Sequence, residues 1–132
     1  MNADPPPDSI FAQGRRRWQA NAFLVCGVRG TIAMSQMRQS SQTPPLLSVV
    51  VPVYNEEETL PAFWAELRPV LDGLREDYEV IFVDDGSSDG TPALLEQIFN
   101  QCPSVKVIRL SRNFGHQCAI TAGLQASRGR AV

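Results

Sequence analysis

Val80-Ile81-Phe82-Val83 is an unbroken run of β-branched and aromatic residues that gives way at once to Asp84-Asp85-Gly86-Ser87-Ser88-Asp89-Gly90-Thr91. No other stretch limits the fold as strongly. Four such residues without polar alternation suit a strand covered on both faces, as in a parallel sheet. Such sheets take polar ligands beyond the carboxyl ends of their strands, which is where Asp84 and Asp85 fall.

Two further runs repeat the pattern. Leu46–Val53 is apolar and β-branched, and Pro52, which has no N–H for a sheet ladder, is expected to end it. Tyr54–Pro61 then combines loop residues with Glu56, Glu57 and Glu58, acids suited to a helix start. Phe63, Leu67, Val70, Leu71 and Leu74 recur at helical spacing and predict the core face of that helix, which Gly73 closes. After the central strand, Asp89 is the expected N-cap of a helix carrying Leu94, Leu95, Ile98 and Phe99, with Pro92 in its first turn and Pro103 beyond its end. Val105–Leu110 alternates more and predicts a strand nearer an edge. Ser111–His116 is a third polar loop. Residues 117–127 predict a helix whose small residues, Ala119, Ala122, Gly123 and Ala126, let it lie close to the sheet, and Ala131-Val132 opens a fourth strand. The expected class is α/β: a Rossmann-like parallel sheet from three strand–helix repeats, with loops 52–58, 84–90 and 111–116 gathered on one rim.

The 132 residues, 43% hydrophobic and 20% charged, suit one modest domain. Charge is uneven along them. Residues 1–45 hold five arginines against two acids, a net +3, and the remainder holds seven basic residues against twelve acids, a net −5. The acidic balance of the globular part argues against a nucleic-acid partner, which needs clustered Lys and Arg. Residues 1–45 carry Pro5–Pro7, Arg15–Arg17 and a Ser/Gln-rich run without periodicity, and are expected to form a disordered tail. Met34 and Met37 mark internal positions at which the true start could fall. Arg15–Arg17 followed by Ala22–Val28 is a minimal match to a secretory leader, which the nucleotide-type pattern after it argues against. Cys26, Cys102 and Cys118 show neither a disulfide framework nor metal-ligand spacing and suit a reducing, cytoplasmic setting. No apolar run approaches the roughly 20 residues of a spanning helix.

Several chemistries are excluded by what the loops lack. No Gly-x-Gly-x-x-Gly follows a strand and no Gly-Lys-Ser/Thr occurs, so dinucleotide and Walker-type cradles are missing. Asp85-x-Ser87-x-Asp89-Gly90 followed by Glu96 imitates a calcium loop, but it follows a strand rather than a helix and places Pro92 at its eighth position. His116 is the only histidine and has no Gly-x-Ser-x-Gly elbow with it, which argues against a hydrolase triad. Acids at a strand end can instead accept hydrogen bonds from ribose hydroxyls or a base N–H. Tyr54 offers an aromatic face, and Arg112 can pair with a phosphate. The plainer alternative has Asp84 and Asp89 capping helices and Arg112 pairing with a surface acid; for Asp89 the cap is favoured.

Three motifs carry a resemblance: Ser48-Val49-Val50-Val51-Pro52-Val53-Tyr54-Asn55-Glu56-Glu57, Val83-Asp84-Asp85-Gly86-Ser87-Ser88-Asp89-Gly90-Thr91, and Leu110-Ser111-Arg112-Asn113-Phe114-Gly115-His116-Gln117 through Ala122-Gly123. In this order they resemble family-2 inverting glycosyltransferases of the GT-A fold, most closely the polyprenyl-phosphate sugar transferases that include dolichol-phosphate mannose synthase and bactoprenol glucosyltransferases. The resemblance covers Leu46 to Val132. It implies that Pro52, Tyr54, Asn55 and Glu56 line a nucleotide pocket. Asp85, with Asp84, would hold the base or ribose of a UDP- or GDP-sugar, and Arg112, Asn113 and Gly115 would belong to the loop under the donor. The implied reaction is displacement at the anomeric carbon by the oxygen of a polyprenyl phosphate, with Mg²⁺ or Mn²⁺ on the departing diphosphate. In that family the metal is held by an Asp-x-Asp motif after the fourth strand, which is absent here. Residues 46–132 are therefore expected to be the N-terminal nucleotide-binding half of a longer domain, and the chain alone to transfer no sugar. The competing expectations are a soluble family-2 enzyme that extends a polysaccharide, and a non-catalytic nucleotide-binding or interaction module.

Overall fold

The computed structural model describes residues 34–36 and 43–132. The rest of the expected tail, with the Arg triplet and the leader-like run, lies outside the described residues. Elements follow in the order β1 (Met34–Gln36), β2 (Leu47–Val53), α1 (Leu60–Asp72), β3 (Tyr78–Asp84), α2 (Thr91–Gln101), β4 (Val105–Arg109) and α3 (His116–Ala126). They form one sheet of order β1-β4-β3-β2, with β2–β3 and β3–β4 parallel and β1 antiparallel to β4. The three-residue β1, with Met34 opposite Arg109, falls in a stretch for which the sequence pattern predicts no element.

β3 is the buried centre. Val80, Ile81, Phe82 and Val83 are fully covered because their alternate side chains enter two different cores. Val80 and Phe82 meet Leu60, Trp64, Leu71, Leu95, Ile98 and Phe99 of α1 and α2. Trp64 sets its edge against the Phe82 ring at 5.8 Å and 70°. Ile81 and Val83 meet Ala119, Ala122 and Ala126 of α3 on the other face. The close approach expected of that helix is present: a Cβ on Gly123 would stand 2.2 Å from Val50 Cγ1.

Three expectations change in detail. β2 continues through Pro52, which is register partner to Val83. Ser48 N donates to Ala131 O, whereas Val53 O accepts from Asp85 N on the β3 side. Even-numbered residues of β2 therefore turn their backbone away from β3, and Pro52 removes no bond from that ladder. The buried stripe of α1 is Leu60, Trp64 and Leu71 with Leu67 packed against it, while Phe63, Val70 and Leu74 are exposed. Among the described residues β4 has only β1 outside it, yet its first four residues are buried, Lys106 included.

Lys106 is tolerated there because Glu79 answers its charge. Lys106 Nζ lies 2.6 Å from Glu79 Oε2, and Glu79 Oε1 accepts from Ser48 Oγ at 2.6 Å and from Arg128 N at 2.7 Å. Gly129 N donates to Ser48 Oγ at 2.8 Å. This network fixes the turn after α3 and leads the chain to Ala131, which bridges in parallel to Leu47 on the free side of β2.

The path therefore runs outward from β2 to β3 to β4 and then returns across the sheet to the far side of β2. Right-handed crossovers put helices of opposite travel on opposite faces, which is why α1 and α2 share one core and α3 the other. The direction reverses at β2, and a crevice opens at such a switch point beyond the strand ends.

Candidate functional site

A cleft of about 370 Å³ occupies that crevice, lined by Pro52, Val53, Tyr54, Glu56, Asp85 and His116. Four of these come from the end of β2 and its loop, one from the loop after β3 and one from the first turn of α3. The three loops expected to share a rim do share it.

The first two loops are fastened to each other. Asn55, held at φ 52°, donates its N–H to Ser87 Oγ at 2.9 Å and accepts Ser88 N on its side-chain oxygen at 2.9 Å. Glu56 N donates to Thr91 Oγ1 at 2.8 Å, Glu57 N to Asp89 Oδ2 at 3.2 Å, and Gly90 N to Glu57 Oε2 at 2.6 Å. Ser87 and Thr91 are buried and act as fixed posts for the backbone of Asn55 and Glu56. Glu56 is thus held by its backbone while its side chain remains exposed at the cleft. Thr59 Oγ1 donates to the Glu56 carboxylate.

The third loop is fastened by Asp85. Its Oδ1 accepts Phe114 N at 2.8 Å and its Oδ2 accepts Gly115 N at 3.0 Å. Gly115 has φ 97°, which lets its N–H face Asp85 while its carbonyl accepts Cys118 N and Ala119 N to start α3. The turn at Gly86, φ 73°, brings the second and third loops together so closely that a Cβ there would lie 2.4 Å from the Arg112 carbonyl carbon.

Adjacent acids have different places. Asp84 is fully buried and outside the cleft lining; its Oδ1 accepts Ser87 N at 2.9 Å. Arg109 Nε lies 3.2 Å from Asp84 Oδ2, an ion-pair distance without hydrogen-bond alignment, and Arg109 also donates to Ser87 O at 3.3 Å. Asp89 accepts Thr91 N on Oδ1 at 3.0 Å, although Gly90 rather than Asp89 is the N-cap residue of α2. Partial desolvation raises the Asp89 carboxyl, and hydrogen bonds from Thr91 and Glu57 outweigh it, leaving the group below its ordinary range. The expected N-cap is thus displaced by one residue: Asp89 stands just before the cap and holds the first N–H of α2 from there.

Of the nine residues singled out by resemblance, the cleft brings together Pro52, Tyr54, Glu56 and Asp85. Asn55 and Gly115 shape the loops. Arg112 is exposed, its guanidinium 4.7 Å above the Phe114 ring, and Asn113 Oδ1 accepts Gly115 N at 3.0 Å. The pattern reading missed His116 as a lining residue and Ser87, Thr91 and Arg109 as supports. His116 had a signal, being the sole histidine and the last residue of a rim loop.

A divalent cation is not fitted by these groups alone. Among the described residues no three His, Cys, Asp or Glu side chains are arranged to hold one, and both Asp85 oxygens already accept backbone N–H groups. No helix among the described residues is long and apolar enough to cross a membrane.

Residues 48–132 match the family described as Glycosyl transferase family 2. An uncharacterised glycosyltransferase of Bacillus subtilis, YkcC, is 47% identical over 85 residues, covering 64% of this chain and 26% of that protein. The undecaprenyl-phosphate 4-deoxy-4-formamido-L-arabinose transferase of Aeromonas hydrophila is 43% identical over 88 residues, covering 66% of this chain and 27% of that protein. Among solved structures, the mannosyltransferase PcManGT from Pyrobaculum calidifontis, in complex with GDP-Man and Mn²⁺, superposes with a TM-score of 0.52 at 27% identity, over 65% of this chain and 25% of that one. The chain spans about a quarter of the length of these relatives.

Proposed function

The chain belongs to glycosyl transferase family 2 and has the α/β architecture of its GT-A members, and from that premise we propose that the cleft above β2 takes the nucleotide end of a nucleotide-sugar donor. The whole protein then passes the sugar to a polyprenyl phosphate at the cytoplasmic face of the membrane. The observation that carries this reading is the cleft itself, placed at the switch point of a parallel sheet and lined by an aromatic ring, a proline and two acids.

Tyr54, exposed at the mouth of the cleft, stacks on the base with Pro52 beside it. Glu56 accepts hydrogen bonds from ribose hydroxyls. Arg112, Asn113 and Gly115 form the loop beneath the donor. Asp84 acts from below, holding Ser87 and Arg109 in place. The bond that breaks joins the anomeric carbon to the donor phosphate; the bond that forms joins that carbon to the acceptor's phosphate oxygen. GDP-mannose in PcManGT supports a nucleoside-diphosphate sugar as the donor, and the Aeromonas relative's name supports a lipid-phosphate acceptor over a growing polysaccharide. Mn²⁺ in PcManGT supports a divalent ion for the family chemistry.

Calorimetric titration of the full chain with UDP-glucose and GDP-mannose tests the reading. One of the two binds, and Tyr54→Ala weakens it by about three- to tenfold, the value of an aromatic stack. Absence of binding by both donors would overturn it.

A further inference from the structure

We infer that His116 is the contact for the negatively charged end of the ligand and that Asp85 is the positioning residue that aims it, an inference that rests on the nucleotide-binding reading of the cleft. Among the six lining residues, His116 is the one able to carry positive charge; Glu56 and Asp85 are acids, and Pro52, Val53 and Tyr54 are uncharged. A nucleoside diphosphate has an uncharged, flat end and an anionic end. The flat end suits Tyr54 and Pro52, which rise together from the end of β2. The anionic end is then directed to the α3 side, where His116 stands and where Asp85 repels least, its two oxygens being taken up by Phe114 N and Gly115 N.

That clamp is also what places His116. Asp85 grips the two residues immediately before it, and Gly115 turns at φ 97° with nothing within 4 Å of where its Cβ would be. A Cβ would meet open space there, so hydrogen bonds hold the turn: Gly115 N is shared between Asp85 Oδ2 and Asn113 Oδ1, each at 3.0 Å, and Asp85 alone also takes the preceding N–H, that of Phe114, at 2.8 Å. Gly115 O then receives Cys118 N at 3.0 Å and Ala119 N at 3.2 Å, so the first turn of α3, with His116 in it, is built directly on the clamp. Asp85→Asn would keep the size of the side chain but turn an NH₂ toward one of two N–H donors, releasing one end of the grip.

The test compares nucleoside, monophosphate and diphosphate (uridine, UMP and UDP; guanosine, GMP and GDP) binding to the full chain by calorimetry, for the original protein, His116→Ala, Asp85→Asn and the double variant. Circular dichroism melting establishes that each variant is folded; should Asp85→Asn fail to fold, Asp85→Glu replaces it. His116→Ala is expected to lower diphosphate affinity about tenfold or more, the loss typical of a hydrogen bond to a charged group, and to leave nucleoside affinity unchanged. Asp85→Asn is expected to show the same phosphate-dependent loss, and the double variant to be no weaker than His116→Ala alone. Equal losses for nucleoside and diphosphate in His116→Ala, or no loss at all, would overturn the assignment of His116. Additive losses in the double variant would overturn the positioning role of Asp85. Failure of the original chain to bind any of the six probes would overturn the nucleotide-binding reading itself, and the inference with it.

Discussion

Gly123→Ala isolates the contact between α3 and the sheet. The added Cβ would stand 2.2 Å from Val50 Cγ1 and 3.1 Å from Val83 Cγ2, whereas carbon atoms rest at about 3.5–4.0 Å. Either α3 or Val50 must move by more than about 1 Å to reach that range. Val50 has little freedom: it is β-branched and stiff at χ1, and its strand is held by β3 on one side and by Ala131 on the other. Overpacking of this kind costs about 1–3 kcal/mol. Replacing glycine by alanine inside a helix returns about 1 kcal/mol, so a net loss of about 1–2 kcal/mol is expected, since a 2.2 Å approach lies at the severe end. Urea denaturation followed by far-ultraviolet circular dichroism measures it. Val50→Ala removes the clashing methyl, so Gly123→Ala introduced into that background should be neutral or stabilising by up to about 1 kcal/mol, giving a coupling of about 1–3 kcal/mol between the two sites. A Gly123→Ala variant as stable as the original, or losses that simply add in the double variant, would refute the argument that this helix is set by the width of its glycine.

Lys106→Met leaves the Glu79 carboxylate buried without its countercharge and should cost about 3–5 kcal/mol in the same assay; a loss below about 1 kcal/mol would contradict it. Burial raises the Glu79 carboxyl, but hydrogen bonds from Lys106, Ser48 and Arg128 N–H outweigh that and bring it below its ordinary value. Its contribution is therefore complete above the unfolded carboxyl pKa of about 4.3 and disappears as pH falls through the lower folded value. Glu79→Gln should flatten the acid side of the stability–pH curve, and an unchanged slope would remove Glu79 from that account. Thr91→Val strands the Glu56 N–H that the hydroxyl receives at 2.8 Å and should cost about 1–3 kcal/mol, with faster hydrogen exchange at Glu56; unaltered exchange would argue against the post. Gly86→Ala meets the Arg112 and Asn113 backbone at 2.4–2.7 Å from a positive-φ position, and should lower the melting temperature and weaken nucleotide binding together; binding weakened without loss of stability would count against it.

The residues that were legible from sequence are those whose role is settled within a few positions. Val80–Val83 announce a two-sided strand because all four side chains are apolar, and Ala119, Ala122, Gly123 and Ala126 announce a close helix because nothing else at that spacing is small enough. The first helix shows the limit. Leu60, Trp64, Leu67 and Leu71 and the set Phe63, Leu67, Val70, Leu71 and Leu74 both have helical spacing, and only contact with Phe82 and Leu95 in the folded core selects the former. Lys106 reads as an exposed strand residue until Glu79, 27 positions earlier, is seen beneath it. Asp84 and Asp85 are indistinguishable as letters. Their separation follows from strand alternation, which turns Asp84 under the sheet rim toward Arg109 and leaves Asp85 at the cleft. Ser87 and Thr91 belong visibly to a polar loop, but their partners, Asn55 N and Glu56 N, lie more than thirty residues away.

The mutual fastening of the first two loops has a consequence for how such a site can diversify. Backbone N–H groups of Asn55, Glu56, Glu57, Ser88 and Gly90 are consumed between the loops themselves, so the path of the rim is determined without reference to any ligand. The side chains that project from that path into the cleft, Tyr54, Glu56 and His116 among them, are the ones to which the proposal assigns recognition. On the proposed reading, a replacement at one of these three would alter what the cleft accepts while leaving the rim standing, whereas a replacement at Ser87 or Thr91 would remove hydrogen bonds that hold the rim itself. Frame and proposed preference thereby fall on separate residues, so that a change of donor would require no redrawing of the loops.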